Sequence, residues 1–139
     1  MSVSSTSYLF RPGEWMVGEE FDALIHDMFQ VATVCFDGNV QKYNCLTGNR
    51  KDLDDKVIAI ARRSEDGKLN DFLSSIIINV PDLSIPVLRC GITCTSPEAR
   101  GLGLTKKLNS TVLIRFWIQN WRRKVSSHPL LVPSRDRLT

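Results

Sequence analysis

The feature that most constrains this 139-residue chain is the junction Ser96-Pro97-Glu98-Ala99-Arg100-Gly101-Leu102-Gly103-Leu104-Thr105-Lys106-Lys107-Leu108. Before it, an apolar run reads as a strand ending near Cys94 and Thr95. Beyond it, apolar residues recur at helical spacing from about Leu104 to Lys124. A strand, a loop with two glycines and a helix start together form an anion-binding device. Glycines let the backbone approach a phosphate closely, and the unpaired N–H groups of the first helical turn point at it with the helix dipole behind them. The junction therefore predicts a site for a phosphorylated cofactor. As plain structure, the same residues read as a tight connection, with glycines at positive φ and Ser96 capping a turn that holds Pro97 at its first position.

The elements around the junction follow from periodicity. Ser7–Arg11 reads as a first strand ending at Pro12-Gly13. Trp15, Phe21, Leu24, Ile25, Met28 and Phe29 recur at helical spacing between Glu14 and about Val31, and the early acids Glu14, Glu19, Glu20 and Asp22 suit the helix dipole. Val34 and Phe36 read as strand residues, followed by turns at Asp37-Gly38-Asn39 and Gly48-Asn49-Arg50. Lys56–Arg62, the turn Ser64–Lys68 and Phe72–Val80 form a hairpin, and Ile85–Thr95 adds the next strand of an antiparallel meander. The long helix is expected to end near Val125, broken by Ser126-Ser127-His128-Pro129.

Composition excludes several classes. A chain of this length fits one domain, and 42% hydrophobic with 24% charged residues is ordinary for a soluble globular protein. Cys35, Cys45, Cys90 and Cys94 show no CxxC spacing, and His26 and His128 are the only histidines, so no zinc site is expected. Free, mostly buried thiols in a reducing compartment are the expectation. Asp52, Asp54 and Asp55 lack EF-hand spacing and read as a solvated loop or cap, so no metal is assigned. The N-terminus has no secretory pattern, and Pro81, Asp82, Pro86 and Arg89 interrupt the most apolar stretch, Phe72–Ile92. A soluble, cytoplasmic protein without a membrane partner is expected. Of the net charge of +3, the basic excess lies at the end, with Arg122, Arg123, Lys124, Arg135 and Arg137 against Asp136 alone. No aromatic or RNA-binding motif accompanies these cations, so nucleic acid is not an expected partner.

The order strand, helix, hairpin, third strand, glycine loop and long helix resembles the first part of the GNAT superfamily of N-acetyltransferases. That family carries a Q/R-x-x-G-x-G/A segment after its fourth strand, often as P-E-x-R-G-x-G. Pro97-Glu98-Ala99-Arg100-Gly101-Leu102-Gly103-Leu104-Thr105 follows that form, with Thr105 where glycine or alanine is usual. The resemblance covers residues 7 to 125. It implies an α+β fold, a mostly antiparallel mixed sheet flanked by helices. It also implies that backbone amides of Arg100, Gly101, Leu102, Gly103, Leu104 and Thr105 hold the pyrophosphate of acetyl-CoA. Thr93, Cys94 and Thr95 would pair with the pantetheine arm like a neighbouring strand. The implied activity is acetyl transfer from acetyl-CoA to an amine. The alternative is a catalytically inactive acyl-CoA-binding or protein-interaction module on the same fold.

Direct attack of the amine on the thioester, which the resemblance implies, uses a general base near the fourth strand and often a tyrosine after the fifth. Here no carboxylate lies between Asp82 and Glu98, and Tyr8 and Tyr43, the only tyrosines, precede the motif. The candidate bases are Asp82 and the acids at 52–55. The family's sheet continues past the long helix, so residues 1–125 are expected to form a partial GNAT-like domain, truncated after that helix, and residues 126–139 a flexible basic tail. A truncated gene model or splice form, a fragment and a degenerate member remain as alternatives. The helix from Leu104 to Trp121 is apolar over most of its circumference, and such a helix needs cover on more than one side. Left uncovered, it predicts poor solubility, a homodimer or dependence on another segment, unless the first helix and the Tyr8–Phe10 strand cover it.

Overall fold

Alternating and continuous apolar runs build a sheet whose middle strands are buried on both faces. In the computed structural model, which describes residues 3–40 and 42–127, strands β1 (Val3–Phe10), β2 (Lys56–Arg63), β3 (Leu69–Ile78) and β4 (Val87–Thr95) lie side by side in sequence order. Every neighbouring pair is antiparallel. Three helices complete an α+β fold: a single turn α1 (Pro12–Trp15), α2 (Gly18–Cys35) and α3 (Leu104–Ser127). The buried residues form two clusters. Ile58, Ile60, Phe72, Ile92 and Cys94 pack with Phe21, Leu24, Met28 and Val31 of α2. From the same strands Val57, Ala59, Ala61, Leu73 and Ile77 pack with Leu104, Leu108, Val112 and Phe116 of α3.

The α3 stripe advances strictly in steps of four, so it buries one narrow line of side chains. Leu113, Ile114, Trp117 and Trp121 remain 62%, 57%, 62% and 51% exposed. Half exposed, Leu113 and Ile114 each forgo roughly half of the about 1.5–3 kcal/mol that full burial of such a side chain contributes. Tyr8 and Phe10 pack against the inner line, and α2 packs in the other cluster, so neither covers the outer face. Trp117 and Trp121 stack on each other there, with ring centroids 6.1 Å apart.

Several sequence expectations need correction. The helix expected from Glu14 is two: α1 follows Arg11, at φ 50, and α2 restarts at Gly18, at φ 60. Val34 belongs to α2 and not to a strand, because Met28, Val31, Ala32 and Cys35 continue the helical face against the core. Phe36 is its C-cap, with its N–H bonded to Ala32 O at 2.9 Å. Strand β3 starts at Leu69 and ends at Ile78, shifted from the expected Phe72–Val80, and β4 starts at Val87 instead of Ile85. Helix α3 runs through Ser126 and Ser127, past the expected break. The rest of the expected basic tail, 128–139, lies outside the described residues. All four cysteines are free: Cys45 and Cys94 are buried and Cys35 is partly buried, while Cys90 is exposed.

The acids at 52–55 serve local structure: Asp52 accepts from Thr47 Oγ1, and Asp55 pairs with Lys56 Nζ at 2.5 Å. Among the described residues no cluster of His, Cys, Asp or Glu could hold a metal, and no helix is long and apolar enough to cross a membrane.

The pairing of β3 with β4 steps between Leu73↔Thr93 and Ser75↔Cys90, so β4 carries one residue more than β3 across this interval. Gly91 lies in the bulge. A Cβ there would come 2.5 Å from Ser74 O, so no larger residue fits without moving backbone. Beyond β4 no further strand pairs among the described residues, and its outer edge is open.

Candidate functional site

Strand β4 ends at Thr95, and the chain crosses to α3 by a short 3₁₀ turn, Pro97–Ala99, and the loop Arg100–Gly103. The loop is tied down at its start, where Ser96 N–H donates to Asn70 O at 2.8 Å and Ala99 N–H to Ser96 O at 3.0 Å. Gly101 and Gly103 adopt φ 87 and 72, the left-handed region in which L side chains are strained. A Cβ at either position would meet nothing within 4 Å. These glycines are therefore required by the bend of the backbone, and the space beside them is open.

That space is a cleft of about 1070 Å³ along the open edge of β4, reaching from Cys35 at the end of α2 to the first turns of α3. Of the expected cofactor residues, Thr93, Thr95, Arg100, Gly101, Gly103, Leu104 and Thr105 line it. Cys94 and Leu102 do not. Cys94 points into the α2 core, where burial, reinforced by the neighbouring Cys35 and Cys45 thiols, pushes its thiol up to about 12. Leu102 is 46% exposed.

The electrostatics of the cleft favour an anion. Lys107 N–H bonds back to Gly103 O at 3.1 Å and closes the first turn of α3, which leaves the N–H groups of Leu104, Thr105 and Lys106 without an intrahelical acceptor. The first turn of α3 contains no acid. It contains Lys106 and Lys107, and Arg100 lies across the loop. Cations at a helix N-terminus oppose the dipole, so this end is electrostatically incomplete until a negative group arrives.

One carboxylate lies beneath the loop. Asp71 of β3 is fully buried and pairs across the sheet with Thr95. Thr95 Oγ1 donates to Asp71 Oδ2 at 3.0 Å, Thr105 Oγ1 lies 3.4 Å from the same oxygen, and the two threonine hydroxyls are 3.0 Å apart. Asp71 Oδ1 is buried without a hydrogen-bond partner. Burial pushes the carboxyl up to about 6, against the hydrogen bonds from Thr95, Thr105 and the Phe72 backbone that pull it down. Thr105, where the motif usually has a small residue, thus ties the start of α3 to β3 and β4.

Asp71 escapes a reading of the sequence because Asn70 and Asp71 are poor strand formers, which moves the apparent start of the strand to Phe72. The alternation Asp71, Leu73, Ser75, Ile77 is the available signal, since it places Asp71 on the face of Leu73. The candidate bases Asp82 and the acids at 52–55 do not line the cleft. Tyr8 is also remote from it: it donates to Gln119 Oε1 at 3.1 Å, and its pKa is pushed up to about 12 by burial.

Neither a protein-family model nor a curated protein matches the chain. Among solved structures it is similar to a point mutant of the BH1408 protein from Bacillus halodurans, a structural-genomics target, at 14% identity. That likeness covers 95% of this chain and 94% of the other, with a TM-score of 0.46.

Proposed function

We propose that this chain binds acetyl-CoA in the manner of a GNAT-type N-acetyltransferase, with the pyrophosphate on the loop Arg100–Thr105 and the pantetheine arm along the open edge of β4 at Thr93–Thr95. The observation that carries this reading is the conjunction at one cleft of two left-handed glycines, unpaired N–H groups at Leu104, Thr105 and Lys106, and a first turn without acid. The cleft's volume, about 1070 Å³, is slightly above the roughly 300–1,000 Å³ usual for small-molecule sites and suits an extended ligand. Backbone amides need no particular side chains, so a chain with a net charge of only +3 can hold a polyanion this way. The group transferred would be the acetyl of the thioester, its C–S bond breaking as a C–N bond forms to an amine acceptor and coenzyme A leaves as the thiol.

A second reading is an acyl-CoA-binding module without transferase activity. It is favoured by the lining of the cleft, in which no carboxylate and no tyrosine occurs among the described residues. The acid that reaches the cleft, Asp71, does so only through the hydroxyls of Thr95 and Thr105.

Calorimetric titration with coenzyme A and acetyl-CoA tests both readings, alongside an Arg100→Glu/Gly103→Val double variant. Saturable binding that disappears in the variant is expected. A folded wild-type chain that binds neither compound would remove the cofactor reading. Release of free thiol from acetyl-CoA in the presence of amines separates the enzyme from the binder.

A further inference from the structure

The cleft between β4 and the start of α3 has three oxygens at its floor that touch one another. Thr95 Oγ1 lies 3.0 Å from Asp71 Oδ2 and 3.0 Å from Thr105 Oγ1, and Thr105 Oγ1 lies 3.4 Å from the same carboxylate oxygen. Asp71 is fully buried, and its second oxygen, Oδ1, has no partner. Both threonines line the cleft, and Thr105 is exposed there. Thr105 also contributes one of the N–H groups that the helix leaves unpaired.

The hydrogens of this group can be counted. An ionised carboxylate only accepts, whereas each threonine hydroxyl brings one hydrogen. With Asp71 ionised, Thr95 donates to Oδ2 and Thr105 donates to Thr95 or to the carboxylate, so both hydrogens point inward and only lone pairs face the cleft. A phosphate oxygen at Thr105 then meets a lone pair, with a second negative charge beneath it. One added proton reverses the row. Asp71 donates to Thr95, Thr95 donates to Thr105, and the Thr105 hydrogen is released into the cleft beside the N–H groups of Leu104, Thr105 and Lys106. The surroundings of Asp71 leave this role to it. From β2 it is paired with Ala61, and from β4 and α3 the two threonines meet it. Arg100 and Lys106 line the cleft, but among the described residues no cation pairs with the carboxyl. The Cys94 thiol feels it and is itself pushed up to about 12, chiefly by burial. Cys35 of α2 lines the cleft, while His26 of the same helix and Glu98 line a different one.

We propose that the diphosphate of an acyl-CoA entering this cleft binds together with one proton, which Asp71 takes up, and that the row Asp71–Thr95–Thr105 thereby turns outward to donate to it. The proposal rests on the acyl-CoA reading of the same cleft and adds the group that governs it. Asp71 does not touch the ligand; it is a positioning residue that acts through the two hydroxyls. Coupling of this kind is reciprocal, so the anion tightens the hold of Asp71 on its proton by the same factor as the proton tightens the anion. Burial already places the carboxyl at about 6. Binding is therefore strong below that value, where the proton is in place, and weakens above it, where the proton must be drawn from solvent. Thr105 gains a function in this way, since the glycine or alanine usual at its place in the motif has no hydroxyl to carry the change to the ligand.

The test is calorimetric titration of the whole chain with dephospho-coenzyme A at pH 5.5 and 7.5, in buffers of different ionisation enthalpy so that proton uptake is read directly. This probe lacks the phosphate monoester of coenzyme A, whose second ionisation falls near pH 6. The wild type is expected to bind about ten-fold more weakly at pH 7.5 than at pH 5.5, and to take up most of one proton per ligand at the higher pH. Asp71→Asn, neutral throughout, should bind equally at both pH values without proton uptake. Cys35→Ser should retain the wild-type dependence. Proton uptake by the wild type decides the matter even where a variant fails to fold. Absence of binding at both pH values removes the cofactor reading and this inference with it. Binding of equal strength at both without proton uptake, or a pH dependence kept by Asp71→Asn or lost in Cys35→Ser, overturns this inference alone and leaves the cofactor reading standing.

Discussion

The starts of α2 and α3 face the same physical problem and solve it differently. Each follows or contains a glycine at positive φ, Gly18 at 60 and Gly103 at 72, and each presents unpaired N–H groups and the positive end of a helix dipole. In α2 the first turn carries Glu19 and Glu20, so the dipole is complemented within the chain. In α3 the first turn carries Lys106 and Lys107 and no acid, and the acid in reach, Asp71, is buried beneath the turn. A helix that serves only as packing has its ends neutralised by its own residues. The start of α3 is left positive, next to an open cleft.

Asp71 provides the largest expected effect. Its pKa rises from an ordinary value of 3.8 to about 6, so the folded chain holds the proton more tightly than the unfolded chain. Stability is therefore greater below about pH 4 as far as this group is concerned, falls as pH rises between these values, and the loss is complete above about 6. The difference is on the order of 3 kcal/mol. Asp71→Asn should flatten that dependence in urea unfolding followed from pH 5 to 8, and should stabilise the chain at neutral pH. Parallel curves for variant and wild type would mean that the α3 dipole, and not burial, governs the carboxyl.

Exchanging the charge of the α3 start comes next. Lys106→Glu/Lys107→Glu should raise helix stability while weakening acetyl-CoA binding by at least about ten-fold, about 1.4 kcal/mol. Opposite signs in thermal unfolding and calorimetry are the signature of a site left incomplete for a ligand; equal signs would place α3 with α2.

The glycines sharpen the comparison further. Gly18→Ala and Gly103→Ala should each cost about 1 kcal/mol, since both positions have positive φ and neither Cβ meets a neighbour. Only Gly103→Ala should also reduce acetyl-CoA affinity. The smallest effect is expected from Glu19→Gln/Glu20→Gln, a loss of about 0.5 kcal/mol in chemical denaturation with unchanged ligand affinity.

The legible parts of the molecule are those written in local chemistry. Arg100-Gly101-Leu102-Gly103 demands a bend between a strand and a helix, and Leu104, Leu108, Val112 and Phe116 declare the buried line of that helix. Uncovered apolar surface on the helix can also be read, and Leu113, Trp117 and Trp121 are indeed exposed. The parts that escape depend on tertiary context. Val34, β-branched and two residues before Phe36, has strand character locally, but the fit of Met28, Val31 and Cys35 against the sheet carries the helix through it. Asn70 and Asp71 look like turn residues until β3 takes them in, Asp71 paired with Ala61 of β2 and Thr95 of β4 and Asn70 at the register shift beside it. Ser96 is legible as a cap by position, yet its hydroxyl makes no capping bond, and no pattern of residues announces that.

The extra residue at the β4 bulge has a consequence that can be put as a matter of parity. Leu88 and Cys90 lie opposite Ile77 and Ser75, but beyond Gly91 it is Thr93 and Thr95 that lie opposite Leu73 and Asp71. Even-numbered side chains face α3 before the bulge, and odd-numbered ones after it. Deleting one residue there would exchange inside and outside for everything downstream. Ile92 and Cys94 would turn towards α3, and the threonines would enter the α2 core, away from Asp71 and Thr105. The hydroxyl cluster beneath the cleft thus depends on a count of residues along one strand as much as on the identity of any of them.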